Sequence, residues 1–431
     1  MLTTTRSLQV YQVLRLGSVV LTSILLAKSG LGMAEIGAYE ALLYLGSVAA
    51  FFWANGLLQG IPTVYARLDE HERPAFVFTV FLVFITFALM VSSALWLGRQ
   101  WIVPALTGLE RVPCLEWFGV YLFFNLASLP VEYVYLLREK PVALLGWGSV
   151  SFGLYVLVLV LPVLAGYGLE GGLAGLAGLG ALRFLWALAL LFRYGAWAWR
   201  PDLLRDYLKF SMPLVLNLLV GSLVLLFDSW LVGWYFQDET VFAVFRYGSR
   251  EFPIATALAT ALGTALVARI TVQEAAGLDE LKHKTRRLFH LVFPMTIVLL
   301  YFSEKLFPLV FNPAFVAAAP LFNIYLLLTA SRVLLPNAVV LAKGHSRAIL
   351  TVGLIELALK VIFGFLFIHW WGLAGVAWSA VLAFFWEKIG LIWYLEKRLH
   401  VRTRDWLDGR LYAVYVAALF VAWVVVEYWI S

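Results

Sequence analysis

The sequence predicts an all-α polytopic membrane protein: two parallel six-helix bundles and one extra C-terminal transmembrane helix. Three observations predict it. The chain is 63% hydrophobic and only 13% charged, with mean hydropathy +0.88, whereas a soluble domain is near half apolar and a quarter charged. Thirteen apolar segments reach the roughly 20 residues a helix needs to cross a bilayer. The basic residues between those segments fall almost entirely on alternate sides.

In chain order the segments are Leu8–Ala27, Ile36–Val64, Ala75–Leu97, Leu115–Leu137, Val142–Ala165, Leu169–Phe192 and Tyr207–Tyr235. Val241–Ala268, Leu288–Leu309, Phe315–Leu341, Ile349–Ile368, Leu373–Tyr394 and Leu411–Ile430 complete the set. The first has no small-residue cleavage motif behind it and reads as a retained helix. With the N-terminus in the cytoplasm, 21 of the 32 lysines and arginines lie in cytoplasmic segments. Only Lys28, Arg99, Arg111 and Lys305 lie outside, and the other seven lie within spans. Such a bias orients a membrane protein and puts the C-terminus outside.

The chain also reads as duplicated. Gly168-Leu-Glu-Gly171 opens the sixth segment and Gly372-Leu-Ala-Gly375 the twelfth, 204 residues apart; Glu35 and Glu239 show the same offset. Six spans is an even number, so the halves have one orientation and are parallel repeats. The expected domains are 1–200, 201–396, and a tail of 397–431. Gly171 to Gly180 presents small residues at spacings suited to close helix packing.

Several function classes are excluded. Cys114 is the only cysteine, so there is no intramolecular disulfide or multi-cysteine metal site. The histidines are scattered, without metal-ligand spacing. The basic residues sit between spans, so the net charge of +6 signals orientation and not nucleic acid. No nucleophile constellation or phosphate-binding glycine loop is present. The longest outer loop, Arg99–Pro113, offers only Glu110 as a carboxylate, too little for a membrane-embedded polymerase or ligase. The chain is expected not to be an enzyme and to carry no cofactor.

What remains is charge buried in apolar sequence, where it is costly and faces a partner or a wet cavity. Leu223 to Glu251 reads as two spans around Gln237-Asp238-Glu239, with Asp228 on the first and Arg246, Arg250 and Glu251 on the second. Arg246 and Arg250, four apart, are expected to share one helix face. Asp228 and Arg246 lie at similar depth and are expected to neutralise each other. Glu356 and Lys360 have the spacing of an intrahelical pair. Arg183, Arg332, Glu132, Glu387 and Lys388 are expected to snorkel to the interface. Asn217, Asn323 and Asn337 read as interhelical hydrogen-bond donors and acceptors. Trp96, Trp101, Trp197, Trp199, Trp370, Trp371 and Trp429 fit an interfacial belt.

Five short motifs carry a resemblance. They are Leu31-Gly-Met-Ala-Glu-Ile-Gly-Ala-Tyr39, Gly56 with Ile61-Pro-Thr-Val-Tyr-Ala-Arg67, Leu208-Lys-Phe-Ser-Met-Pro-Leu214, Ala342-Lys-Gly-His-Ser-Arg347 and Trp371-Gly-Leu-Ala-Gly-Val-Ala377. In this order, over residues 8–395, they resemble the bacterial polysaccharide-biosynthesis (O-antigen-type) flippases. These belong to the exporter superfamily that also holds MATE multidrug exporters and lipid II flippases. The resemblance implies a V-shaped, MATE-like pair of bundles in the cytoplasmic membrane. It implies movement of a polyprenyl-diphosphate oligosaccharide to the outer leaflet by alternating access. The implied partners are that substrate, membrane lipids and a polysaccharide polymerase with its export machinery, around a monomer. Arginine stays charged and grips phosphate oxygens in pairs, so Arg15, Arg246, Arg250 and Arg332 are the expected cationic path. Asp228 and Glu251 are the expected ion-coupling or charge-pair residues, for H+ or Na+. The alternative in the same fold is an ion-coupled exporter of drugs or metabolites, which calls for an acidic cavity. The chain adds Leu411–Ile430 to the common twelve-span pattern.

Overall fold

The structure is a computed structural model that describes residues 4–430. Its helices are α1 (Thr4–Ala27), α2 (Met33–Tyr65), α3 (Arg73–Leu97), α4 (Arg99–Thr107), α5 (Leu115–Ser128), α6 (Pro130–Leu137), α7 (Pro141–Pro162) and α8 (Gly168–Tyr194). They continue as α9 (Pro201–Phe236), α10 (Glu239–Gly248), α11 (Pro253–Val272), α12 (Glu274–Val310), α13 (Ala319–Leu326) and α14 (Leu328–Arg332). The last are α15 (Pro336–Ala342), α16 (Ser346–Arg398), α17 (Thr403–Trp406) and α18 (Gly409–Val425). No strand is present among the described residues.

Ten helices are long and apolar enough to cross a membrane, and the bent pair Met33–Ala50 and Phe52–Tyr65, 50° apart, makes eleven. Two of them, Pro141–Tyr194 and Ser346–Arg398, run 54 and 53 residues. At 1.5 Å per residue either would be about 80 Å long if straight, far beyond a bilayer. Each folds back at a glycine in the same unusual conformation: Gly168 at φ 61°, ψ −165° and Gly372 at φ 56°, ψ −132°. That region is nearly closed to any residue with a Cβ. Counting each as a hairpin gives thirteen apolar segments among the described residues. The two glycines are the pair that the 204-residue offset singles out. Close packing follows each reversal. A Cβ on Gly175 would lie 2.3 Å from the Val158 carbonyl oxygen, and one on Gly375 2.0 Å from that of Phe367.

The chain divides into two compact units. One is Met1–Ser222 with Gly233–Ala243; the other is Leu223–Val232 with Val244–Ser431. In the first, α1 packs on α7, and α5 lies against α3 and α8. In the second, α11 packs on α12 and α15, and α13 to α15 pack along α16. Helix α18 joins the second unit through α12, with His290 Nδ1 2.6 Å from the Tyr415 hydroxyl and Tyr412 donating to the Ala330 carbonyl.

Two of the expected continuous spans are broken. The eighth stops at Gly248 and resumes at Pro253. Proline disfavours helical backbone in the residue before it, and Phe252 is extended at φ −67°, ψ 105°. Arg250 therefore lies in the break, and the expectation that it shares a helix face with Arg246 fails. The tenth falls into α13, α14 and α15, with Pro336 opening the last. Of the expected belt, Trp96, Trp101, Trp197, Trp199, Trp370 and Trp371 are exposed; the side chain of Trp429 lies outside those described.

Candidate functional site

The buried charges of the second unit fall mainly into two clusters. Lys360, on α16 and 1% exposed, ion-pairs with Asp228 of α9 at 3.0 Å. Its ammonium also donates to the Val224 carbonyl at 2.7 Å. The Tyr325 hydroxyl, from α13, donates to the same Asp228 oxygen at 3.0 Å. One carboxylate thus joins three helices. Arg246 reaches Ser229 at 3.4 Å, one residue on and about 100° round the helix from Asp228. The expected Asp228–Arg246 pair is corrected accordingly: Lys360 is the counter-ion. The expected Glu356–Lys360 pair fails for the same reason. Glu356 is buried, and its Oε1 has no hydrogen-bond partner.

A second cluster lies where the two broken helices meet. Arg332, ending α14, grips Glu251 with both edges of its fork, Nε at 2.8 Å and Nη2 on the other oxygen. This geometry is the strong form of the charge-assisted bond. The Phe384 ring packs 3.9 Å from the Arg332 guanidinium and 5.3 Å from the Lys360 ammonium, a cation–π contact to each. Lys388 pairs with Glu387 at 2.7 Å, and Asn337 bonds both, accepting from Lys388 and donating to Glu387. Arg250 stacks on Tyr247 at 4.4 Å.

These groups border a cavity of about 860 Å³. Glu251, Arg332, Asn337 and Lys388 supply its polar wall; Thr256, Thr260 and Thr264 of α11 face it. Both chain breaks open onto it through Glu251 and through Leu334 and Leu335. Irregular backbone at membrane depth is tolerated only where it is buried in protein or lines a wet cavity.

The first unit holds a smaller polar pocket of about 170 Å³, lined among others by Tyr11, Arg15, Asn125, Glu132, Ser151 and Arg183. Arg15 is exposed, whereas Arg183 and Glu132 are buried. Arg183 donates to the Asn125 side-chain oxygen at 2.8 Å and to the Ser151 carbonyl at 2.9 Å. Tyr11 and Glu132 share this lining.

Of the expected site residues, Arg246, Arg250, Arg332, Asp228 and Glu251 lie in the second unit and Arg15 in the first. Arg183, Glu132, Glu387 and Lys388 are each under 10% exposed and do not snorkel; Arg183, Glu387 and Lys388 have internal polar partners close enough to replace water. Asn337 bridges charges as expected, but the amide of Asn323 is buried without a partner. Lys360 and Tyr325 were missed as partners of Asp228. Their signal was the bare presence of a lysine and a tyrosine in apolar sequence; which helix they reach is a tertiary fact. Among the described residues no group of three His, Cys, Asp or Glu could hold a metal.

Thirteen apolar segments and a charged cavity beside broken helices define an all-helical protein of the membrane. A model of the family described as "Lipid II flippase MurJ" matches residues 133–431, more than half of the chain, and the protein belongs to that family. It is a family of flippases and not of catalysts. No curated protein matches the sequence. Among solved structures, one described as "Lipid II flippase MurJ, inward closed conformation" aligns with TM-score 0.73 at 13% identity, covering 97% of this chain and 92% of that one. A MOP superfamily transporter from Pyrococcus furiosus gives 0.59 at 16% identity, covering 97% of both. The Vibrio cholerae MATE transporter VcmN in its bent form gives 0.56 at 14%, covering 97% and 98%. At these identities the structures establish the fold. None of the matches named here specifies an O-antigen or polysaccharide substrate.

Proposed function

We propose that the protein moves a polyprenyl-diphosphate-linked saccharide from the inner to the outer leaflet of the bacterial cytoplasmic membrane by alternating access. Lipid II is the substrate to test first, because the matching family is named for it; an O-antigen-type oligosaccharide shares the diphosphate and differs in the sugars. The observation that carries the reading is the cavity into which both helix breaks of the second unit open. Discontinuous helices are how transporters build ligand sites at membrane depth, with half-helix N-termini turned toward anionic groups. Helices α11 and α15 begin at Pro253 and Pro336 beside this cavity. Arg332 and Lys388 add full positive charge there.

In this mechanism the diphosphate competes with Glu251 for Arg332, the substrate sugars occupy the wet space and the lipid tail stays in the bilayer. Arg246 and Arg250 extend the cationic route. Asp228, held by Lys360, is the group through which H+ or Na+ would couple. The N-terminus is cytoplasmic and the C-terminus outside, a monomer suffices, and a polymerase consumes the product.

The test is protein-dependent exposure of a lipid-linked saccharide in liposomes, read with a membrane-impermeant reagent that modifies the headgroup. Exposure of lipid II alone assigns the peptidoglycan precursor. Exposure of a polyprenyl-diphosphate oligosaccharide alone assigns the polysaccharide precursor. No exposure of either, with export of a soluble cation, moves the protein to the drug or metabolite exporters.

A further inference from the structure

The pocket of the first unit presents a problem that its own residues do not solve. Arg183 is 7% exposed, and a guanidinium stays ionised in proteins. Burying such a charge is expensive unless it is paired and hydrogen-bonded. Its two hydrogen bonds go to neutral oxygens, those of Asn125 and Ser151. Its Nε is buried with no acceptor at all. No carboxylate among the described residues lies within ion-pair distance of it. Glu132 is the one carboxylate on the same lining. Arg15 stands exposed on the lining and makes no hydrogen bond or ion pair with its guanidinium among the described residues. Against one carboxylate the pocket therefore sets two guanidinium groups, the deeper of them without a counter-charge.

We propose that this pocket binds one phosphate-sized oxyanion. The Nε edge of Arg183 and the guanidinium of Arg15 are its ligands, and the Asn125 and Ser151 bonds hold Arg183 in place. A tetrahedral oxyanion matches the paired donors of an arginine edge. The volume of about 170 Å³ equals the share of roughly five or six waters. That is room for a phosphate group. The anion comes either free from solution or as the headgroup phosphate of a membrane lipid. This site shares no residue with the cavity on which the proposed transport rests, so each reading can fail alone.

The experiment uses the purified full-length protein, delipidated in detergent, and follows Tm against sodium phosphate with sodium chloride at matched ionic strength as control. Native mass spectrometry on protein before delipidation reads retained phospholipid or polyprenyl phosphate. Wild type is compared with Arg183→Gln, which keeps a donor for Asn125 but no charge, and with Val19→Trp. Val19 is exposed on the pocket lining, one turn on from Arg15, so the tryptophan adds bulk to the pocket and removes neither arginine. A phosphate-specific, saturable rise of about 2 °C or more in the wild type, lost in both variants, supports a free-ion site. Lipid retained by the wild type and lost from both variants supports a headgroup site. Neither effect in the wild type, or either effect unchanged in Val19→Trp, overturns the proposal. Val19→Trp alone decides the matter if Arg183→Gln does not fold.

Discussion

The polar cores of the two units occupy corresponding places in the repeat and solve the burial of charge in opposite ways. In the first unit the polar side chains come from α1, α5, α6, α7 and α8; in the second, from α9, α13 to α15 and the two arms of α16, joined by Glu251 and the threonines of α11, which have no counterpart in the first. The 204-residue offset carries Arg183 onto Glu387. In the first unit Arg183 is held by neutral oxygens and its charge is left over. In the second, Asp228–Lys360, Glu251–Arg332 and Glu387–Lys388 are matched pairs. A matched network is rigid until something competes for one partner. A core with a surplus charge is poised to take up a counter-ion. Positions that the 204-residue offset brings into register thus carry different chemistry in the two units.

The sharpest break of this contrast is the Asp228–Lys360 pair. Lys360→Met leaves a carboxylate buried without its counter-ion and should cost about 3–5 kcal/mol of unfolding free energy in mixed micelles. Adding Asp228→Asn should recover most of that loss. If the double variant is no better than the single, Asp228 is not the group that Lys360 neutralises.

The repeat itself is tested by Gly168→Ala and Gly372→Ala. Both glycines have positive φ, so each substitution should cost about 1–3 kcal/mol. A clear cost at one position with none at the other would mean that only one of the reversals needs glycine. For Glu251→Gln and Arg332→Gln, a double-mutant cycle should give a coupling of about 1–3 kcal/mol. Independent effects would mean that their fork contact is incidental. The smallest effect is expected at Glu356. Its unpartnered oxygen makes Glu356→Gln neutral or stabilising by about 1 kcal/mol. A loss above about 2 kcal/mol in the same unfolding assay would show that the carboxylate has a partner.

Most of the architecture was legible because a bilayer demands long apolar segments, and the alternation of basic residues checks them against one another. The glycine offset was legible because reversals at Gly168 and Gly372 need a residue without a Cβ. The two breaks were half visible, in Pro253 and Pro336, but a run of apolar residues does not show where a helix stops. The charge partners were not legible. The i, i+4 spacing of Glu356 and Lys360 predicts a bond on one helix, while Lys360 reaches α9 because the packing of α16 against its unit points it there. Snorkelling was predicted from depth alone and failed for Arg183, Glu132, Glu387 and Lys388; the polar partners of Arg183 come from other segments, and those of Glu387 and Lys388 partly from each other.

The central claim is that the charges of the second unit receive the substrate's diphosphate. Its most direct test is the liposome exposure assay with the double variant Glu251→Gln/Arg332→Gln, which replaces the ion pair by neutral hydrogen-bonding groups of similar shape. The account predicts a folded protein whose headgroup exposure falls at least about tenfold, the equivalent of one lost charge-assisted contact worth roughly 1.5–3 kcal/mol. Exposure at the wild-type rate would contradict it and confine Arg332 to a structural role.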